Sequence, residues 1–219
     1  MPKQYAVNEI YYTLHGEGVR YGIPHVFVRL AACNLTCGFC DTEFESYVAM
    51  TADEIVARAR ELVAVSQPVE VEVEGARKHG KPLSNDPCRN VLFCGGEPLL
   101  QLDDELIGAF KHDTDPWYIA VETNGTRAVP GGVDWITCSP KVAEHALKLD
   151  FAHELKYVRA AGQGIPRPKV RADFYLISPI FDGNAQDQQN VAWCVQLVKE
   201  NPRWRLTMQH HKTAFGGIR

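Results

Sequence analysis

Three cysteines stand within eight residues, in the run Cys33-Asn-Leu-Thr-Cys37-Gly-Phe-Cys40. A short loop can bring three thiolates to a common point, and three sulfurs suit a soft metal centre. Their number matters. A structural zinc site takes four ligands, usually as two close pairs, and a simple four-cysteine iron–sulfur site also uses a fourth thiolate. Three thiolates leave one iron of a [4Fe–4S] cluster without a protein ligand and open to a small molecule. The spacing alone also admits a zinc knuckle completed by a distant Cys or His, although no second Cys-x-x-Cys and no His-x3-His lies near the loop. Cys88, Cys94, Cys138 and Cys194 are scattered and read as buried small hydrophobes. A second loaded run is Gly95-Gly96-Glu97-Pro98, where glycines let backbone approach a ligand without an intervening Cβ.

These groups need a scaffold, and the chain can supply one. It has 219 residues, 45% of them hydrophobic and 23% charged, which fits one sizeable globular domain, residues 1–219, and excludes a disordered or fibrous chain. Net charge is −4. The first hundred residues hold 9 basic and 13 acidic side chains, and the rest hold 14 of each, so neither half offers a nucleic-acid groove. No apolar run reaches the roughly 18 residues of a spanning helix. The opening run MPKQYAVNEIYYTLHGEG lacks the apolar core of an export signal, and seven cysteines is an odd number, so the expectation is a cytoplasmic chain without a disulfide framework.

Short β-rich runs recur at His25–Leu30, Val91–Cys94, Trp117–Val121, Trp135–Cys138, Glu154–Val158, Phe174–Ser178 and Trp204–Met208. Three helices are expected between them. The first opens with a capping box, Thr51-Ala-Asp-Glu54, and lines up Ile55, Val56, Ala59, Leu62 and Val63. The second is expected from about Leu99 to Phe110, and the third from near Asn184 with a Val191, Val195, Val198 stripe. Strands alternating with helices imply a mainly parallel sheet, and three helices are thin cover for six or seven strands. An open, partial (β/α) barrel follows, with its chemistry at the C-terminal strand ends. The loaded segments all follow strands: the Cys33 loop, Gly95–Pro98, Glu122-Thr-Asn-Gly125 and Ser139-Pro-Lys141. Residues 66 to 90, beginning with the alternating run Pro68-Val-Glu-Val-Glu-Val-Glu74, read as an edge hairpin or variable insertion.

The Cys33-x3-Cys37-x2-Cys40 run, with Phe39 before its last cysteine, resembles the signature of the radical S-adenosylmethionine (SAM) superfamily, and Gly95-Gly96-Glu97 resembles that superfamily's GGE motif. Asn8-Glu-Ile, Thr13-Leu-His-Gly-Glu-Gly18, Phe27-Val-Arg29-Leu, Cys40-Asp41-Thr42, Glu122-Thr, Ser139-Pro-Lys141 and Gln209-His-His211-Lys212 narrow the resemblance to the 7-carboxy-7-deazaguanine synthases, from residue 8 to the C-terminus and most weakly over 46–90. That resemblance implies an abbreviated radical SAM barrel of about six strands and three core helices, usually a homodimer. It implies a lyase that turns 6-carboxy-5,6,7,8-tetrahydropterin into 7-carboxy-7-deazaguanine and ammonia, on the route to queuosine and related deazaguanines. Hydrogen abstraction at pterin C6 would precede ring contraction. The electron would come from a flavodoxin- or ferredoxin-type reductant.

The resemblance also implies residue roles. Cys33, Cys37 and Cys40 would hold the [4Fe–4S] cluster, and Thr42 would be a Mg²⁺ ligand, where a turn hydroxyl is the plain alternative. Phe39, Gly95, Gly96, Glu97, Ser139, Lys141 and Ser178 would contact SAM. Leu14, His15, Gly16, Arg29, Cys94, Glu122, His211 and the terminal Arg219 would contact substrate. Arg29 suits a carboxylate through bidentate pairing, or else a structural ion pair. Glu122 suits N–H donors of the pterin, or else local backbone. Two positions depart from the pattern: His15 stands where relatives commonly carry Gln, and Cys94 where many carry Thr. Two other readings compete, a radical SAM activase acting on a glycyl-radical partner and, from another class, a zinc-binding interaction module.

Overall fold

The computed structural model describes residues 2–40, 42–65, 88–182 and 185–213. Its elements in chain order are β1 (Tyr5–Leu14), β2 (Pro24–Leu30), β3 (Val48–Met50), α1 (Ala52–Val65), β4 (Asn90–Gly95), α2 (Asp104–Lys111), β5 (Tyr118–Thr123), β6 (Trp135–Cys138), β7 (Phe151–Arg159), β8 (Arg171–Pro179), β9 (Phe181–Asp182), β10 (Ala185–Gln186), α3 (Gln188–Glu200), β11 (Trp204–Leu206) and α4 (His210–Thr213). One nine-stranded sheet runs β11-β8-β7-β6-β5-β4-β2-β1-β3, while β9 and β10 pair separately. The seven strands from β11 to β2 are mutually parallel, and β1 and β3 extend the sheet antiparallel. The linear order leaves β11 and β3 as edges, so the barrel is open, as the sequence leads one to expect.

Alternation along each strand divides two environments. Val26, Val28 and Leu30 of β2, Val91 and Phe93 of β4, and Ile119 and Val121 of β5 are buried against Ile55, Val56 and Ala59 of α1 and Leu106 and Phe110 of α2. A second core joins Leu155, Tyr157, Tyr175 and Ile177 to Cys194 of α3 and Trp204. The opposite parity places His25, Phe27 and Arg29 of β2, Cys94 of β4, Glu122 of β5 and Lys156 of β7 on the concave face. Polar groups are therefore concentrated where the helices do not cover the sheet.

The helices show where local chemistry decides boundaries. Thr51 and Glu54 form the expected capping box, Thr51 N–H donating to Glu54 Oε2 at 2.7 Å and Glu54 N–H to Thr51 Oγ1 at 3.3 Å. The expected Leu99–Phe110 helix is two pieces, a single 3₁₀ turn at Pro98–Leu100 and then α2. Asp103 makes the break, because its carboxylate accepts from Leu106 N–H and caps α2 at Asp104. The third helix starts at Gln188 rather than Asn184, since Asp187 accepts from the N–H groups of Gln189 and Asn190. Its buried stripe is Asn190, Cys194 and Leu197, with Val195 at 38% exposure, so the inner face is rotated from the expected valine stripe. Strand β1 is an addition to the expected set. Of the anticipated 66–90 insertion, 66–87 lies outside the described residues. Cys88 to Asn90 belong to the sheet margin, where the Cys88 thiol and Asn90 Nδ2 both donate to Pro24 O.

Candidate active site

The chain leaves β2 through Ala32, which has φ 69°, the one non-glycine in the left-handed region among the described residues. Such a conformation persists only where the surroundings hold it, and here they do. Ala32 N–H donates to Phe44 O at 2.9 Å, closing the cysteine loop at its base, and Ala32 O accepts from Glu97 N–H at 2.9 Å. Side chains fasten the loop further. Asn8 Nδ2 reaches Glu43 Oε2 at 2.7 Å and Ser46 O at 2.8 Å, and Asn34 bonds Thr126 Oγ1 at 2.8 Å and Asn124 Nδ2 at 3.1 Å. Cys33, Cys37, Cys40, Phe39 and Thr42 then all line one cleft at the C-terminal strand ends, with about 1060 Å³ of open space. Among the described residues, no three His, Cys, Asp or Glu side chains stand close enough to chelate a single ion. Three thiols facing a shared cleft are donors that a cluster could use, one for each of three irons.

The glycine turn abuts this loop. Gly95 has φ 116°, and a methyl group there would lie 2.3 Å from Leu30 O. At Gly96 a methyl group would lie 2.0 Å from Ala32 O and 3.0 Å from Cys33 Cβ. Both glycines are thus dictated by close backbone approach, and both line the cleft. Glu97 behaves differently. Its carboxylate is fully buried and accepts from Leu99 N–H at 3.0 Å, Thr123 Oγ1 at 2.7 Å and Asn124 N–H at 2.7 Å. Burial pushes this carboxyl above its usual range despite those bonds. The Glu97 side chain therefore pins the glycine turn to the end of β5.

Ser139 and Lys141 line the opposite wall. Lys141 Nζ donates to Ser139 O at 3.0 Å and sits 5.9 Å from the centroid of the Phe39 ring. Burial, with Lys156 nearby, brings Lys141 down to about 8. Ser178 is buried beside Val158, a cleft residue, but does not itself line the cleft, and its Oγ has no hydrogen-bond partner.

Of the remaining predicted residues Cys94 and Glu122 line the cleft, whereas Arg29, His15, Gly16 and His211 are not among its lining residues. Arg29 donates to Tyr11 OH at 3.3 Å and is the β-ladder neighbour of Cys94, whose thiol burial pushes up to about 12. His15 is buried and lies 3.2 Å from Glu122 Oε1 through Nε2, while its Nδ1 accepts from Glu17 N–H at 3.4 Å. Burial alone would push the Glu122 carboxyl up, but Lys156 and His15 outweigh it and hold the group well below the usual carboxylate range. Gly16 packs under His211, where a methyl group would stand 2.4 Å from Nδ1, and Gly16 O accepts from His210 N–H at 2.9 Å. This brings α4 to the cleft, which Gln209 and Lys212 line directly. Leu14 is 41% exposed, outside the cleft, and Arg219 lies outside the described residues. Sequence reasoning gave no role to Glu17, Lys156 or Asn124, which also line the cleft. The available signal was the pair Glu154 and Lys156, two charges at alternate positions flanking Leu155 in the middle of a strand.

No protein-family model matches the chain. The 7-carboxy-7-deazaguanine synthase of Bacteroides thetaiotaomicron is 37% identical over 209 residues, covering 94% of this chain and 95% of the relative. That of Bradyrhizobium diazoefficiens is 37% identical over 228 residues, covering 98% and 99%. The fold is similar to the crystal structure of QueE from Escherichia coli, with a TM-score of 0.64, 22% identity and 95% of each chain covered. An open parallel barrel with a three-cysteine loop after β2 and a glycine turn after β4 defines a radical SAM enzyme. Within that class, the chain belongs to the 7-carboxy-7-deazaguanine synthase family. The activase and zinc-module readings fall away with that membership. No helix among the described residues is long and apolar enough to cross a membrane.

Proposed function

We propose that this protein converts 6-carboxy-5,6,7,8-tetrahydropterin to 7-carboxy-7-deazaguanine and ammonia in the 7-deazaguanine (queuosine) route, using a [4Fe–4S] cluster, SAM and Mg²⁺. The observation that carries the reading is that three loop cysteines, two backbone-crowded glycines, Cys94 and Glu122 line one cleft, with Arg29 the ladder neighbour of Cys94. The residues present fit the absent groups. Cys33, Cys37 and Cys40 offer three thiolates and leave one iron free for SAM. Gly95, Gly96, Phe39, Ser139 and Lys141 surround the space where SAM would lie, and Ser178, buried beside Val158, is the further SAM contact the resemblance implies. When bound, the cluster and SAM would supply one-electron cleavage of SAM and a carbon radical able to abstract hydrogen.

The chain's own residues do the binding and orienting. Arg29 pairs the substrate carboxylate, with Tyr11 OH fixing its guanidinium. Glu122, kept ionised by Lys156 and His15, accepts from pterin N–H groups. Cys94 lies between Arg29 and Glu122 as a neutral thiol against the ring, and Thr42 offers a hydroxyl oxygen to Mg²⁺, which takes its other ligands from water and substrate. Glu97 acts from beneath by holding the glycine turn. His211 closes over the substrate, supported by the docking of α4 on Gly16, and Arg219 is the further substrate contact that the resemblance implies. The family resemblance further supports one domain over 1–219, a cytoplasmic homodimer and a flavodoxin- or ferredoxin-type electron donor.

The test is anaerobic turnover. Protein reconstituted with iron and sulfide receives the pterin, SAM, Mg²⁺ and a strong reductant, with product followed by mass spectrometry. Formation of 7-carboxy-7-deazaguanine by the wild type, and none by Cys37→Ala, is expected. SAM cleavage without that product, or a colourless zinc protein, overturns the reading.

A further inference from the structure

Four residues at the cleft floor close a ring of polar contacts through their side chains and the backbone N–H of Glu17. His15 Nε2 lies 3.2 Å from Glu122 Oε1, Glu122 Oε1 lies 4.0 Å from Lys156 Nζ, and Lys156 Nζ lies 2.8 Å from Glu17 Oε1. Glu17 N–H returns to His15 Nδ1 at 3.4 Å. The ring draws on three parts of the chain: the turn after β1, β5 and β7. Its side chains are largely withdrawn from solvent, with 3% exposure for His15, 25% for Glu122, 7% for Lys156 and 12% for Glu17. Glu17, Glu122 and Lys156 nevertheless all line the cleft.

We propose that Glu17 is a second substrate-facing carboxylate, specific for the reduced pterin ring, and that Lys156 is the positioning residue that sets it beside Glu122. This inference rests on the functional reading above. Two carboxylates share one ammonium in the ring, and both ion pairs run through Oε1. The second oxygen of each takes no part in these ion pairs, and both carboxylates line the cleft, so the floor suits a molecule with more N–H donors than one carboxylate can satisfy. A tetrahydropterin has such donors. Its aminopyrimidinone edge suits Glu122, and the ring N–H groups gained on reduction suit Glu17. A fully oxidised pterin lacks those added N–H groups. A buried acceptor left unpaired discriminates strongly against the analogue that cannot donate to it. The other charged groups facing Lys156 are Glu154, Lys141 and His211, while Glu17 also faces Lys141 and His211, and Glu122 faces His211. None of them replaces the 2.8 Å contact that fixes Glu17.

The test uses anaerobic holoprotein with cluster and SAM bound, and measures equilibrium affinity for 6-carboxytetrahydropterin and for oxidised 6-carboxypterin. Wild type is expected to favour the reduced ligand by roughly tenfold or more. Glu17→Gln should collapse that preference while iron content and SAM affinity stay unchanged. Lys156→Met should weaken both ligands and steepen the fall of affinity toward acid pH, and Lys156→Arg should restore much of the loss. An undiminished preference in Glu17→Gln, or unaltered affinities in Lys156→Met, overturns the inference and leaves the functional reading standing. Failure of the wild type to bind either pterin overturns both. Should Glu17→Gln fail to fold, Glu17→Asp gives the same ratio, and its preference must still fall.

Discussion

Replacing Gly96 with alanine tests the idea that close backbone approach between the cysteine loop and the glycine turn builds the cofactor site. The added methyl would lie 2.0 Å from Ala32 O, about 1.4 Å short of the 3.4 Å at which ordinary contact begins. It would also lie 2.6 Å from Ala32 C and 3.0 Å from Cys33 Cβ. These neighbours are backbone and a Cβ, so no side-chain rotation relieves the clash. The strands must separate, and the first hydrogen bonds to break are Glu97 N–H to Ala32 O at 2.9 Å and Gly96 N–H to Leu30 O at 3.2 Å. Overpacking costs about 1–3 kcal/mol and each broken hydrogen bond about 1 kcal/mol, so the variant should lose about 3–5 kcal/mol in urea unfolding of the apoprotein. Because Cys33 moves with Ala32, SAM affinity of the reconstituted protein should fall at least tenfold by calorimetry, a loss of about 1.4 kcal/mol or more. Gly131→Ala is the matched control, since a methyl there meets nothing within 4 Å. Wild-type stability and SAM affinity in Gly96→Ala would refute the reasoning.

Cys94→Ser should keep a full complement of iron and sulfide while changing pterin affinity, because burial pushes the Cys94 thiol up to about 12 and leaves it no thiolate character at neutral pH; loss of iron would show it to be a ligand. Asp113 is the buried anchor of a second network, accepting from Arg60 Nε at 2.9 Å and Trp117 Nε1 at 2.8 Å. The Arg60 bond comes first among the causes that hold its carboxyl well below its usual range. A depressed folded-state value means that the stabilisation is complete above the ordinary Asp range and is lost as pH falls below about 4, so acid unfolding of the wild type should be steep there. Asp113→Asn should flatten that fall and lower stability at pH 7 by about 1.5–3 kcal/mol in urea unfolding, and equal pH profiles would contradict this.

Much of this architecture is legible in the sequence because its signals are local. Apolar β-runs mark the parallel strands, the Thr51–Glu54 box marks α1, and both chemical motifs follow strands. What escapes depends on tertiary placement. Asp103 and Asp187 are ordinary polar residues in the sequence, yet as caps they shift two helix boundaries. Asn190 joins the buried stripe of α3 because its amide bonds Ala161 N–H and Ile180 O, pairings no periodicity announces. Glu97 belongs to a ligand-binding motif by pattern, but Thr123 and Asn124 draw its carboxylate into the protein. Glu17 and Lys156 are 139 positions apart, and only the curvature that brings β7 under the turn after β1 makes them a pair.

Turnover with SAM well below substrate tests most directly whether this cleft performs the ring contraction with SAM as a reusable partner. Anaerobic reconstituted protein, excess 6-carboxytetrahydropterin, Mg²⁺ and reductant should yield more 7-carboxy-7-deazaguanine than the SAM supplied, with that SAM recovered intact. No 7-carboxy-7-deazaguanine, or one SAM destroyed for each molecule formed, would contradict it.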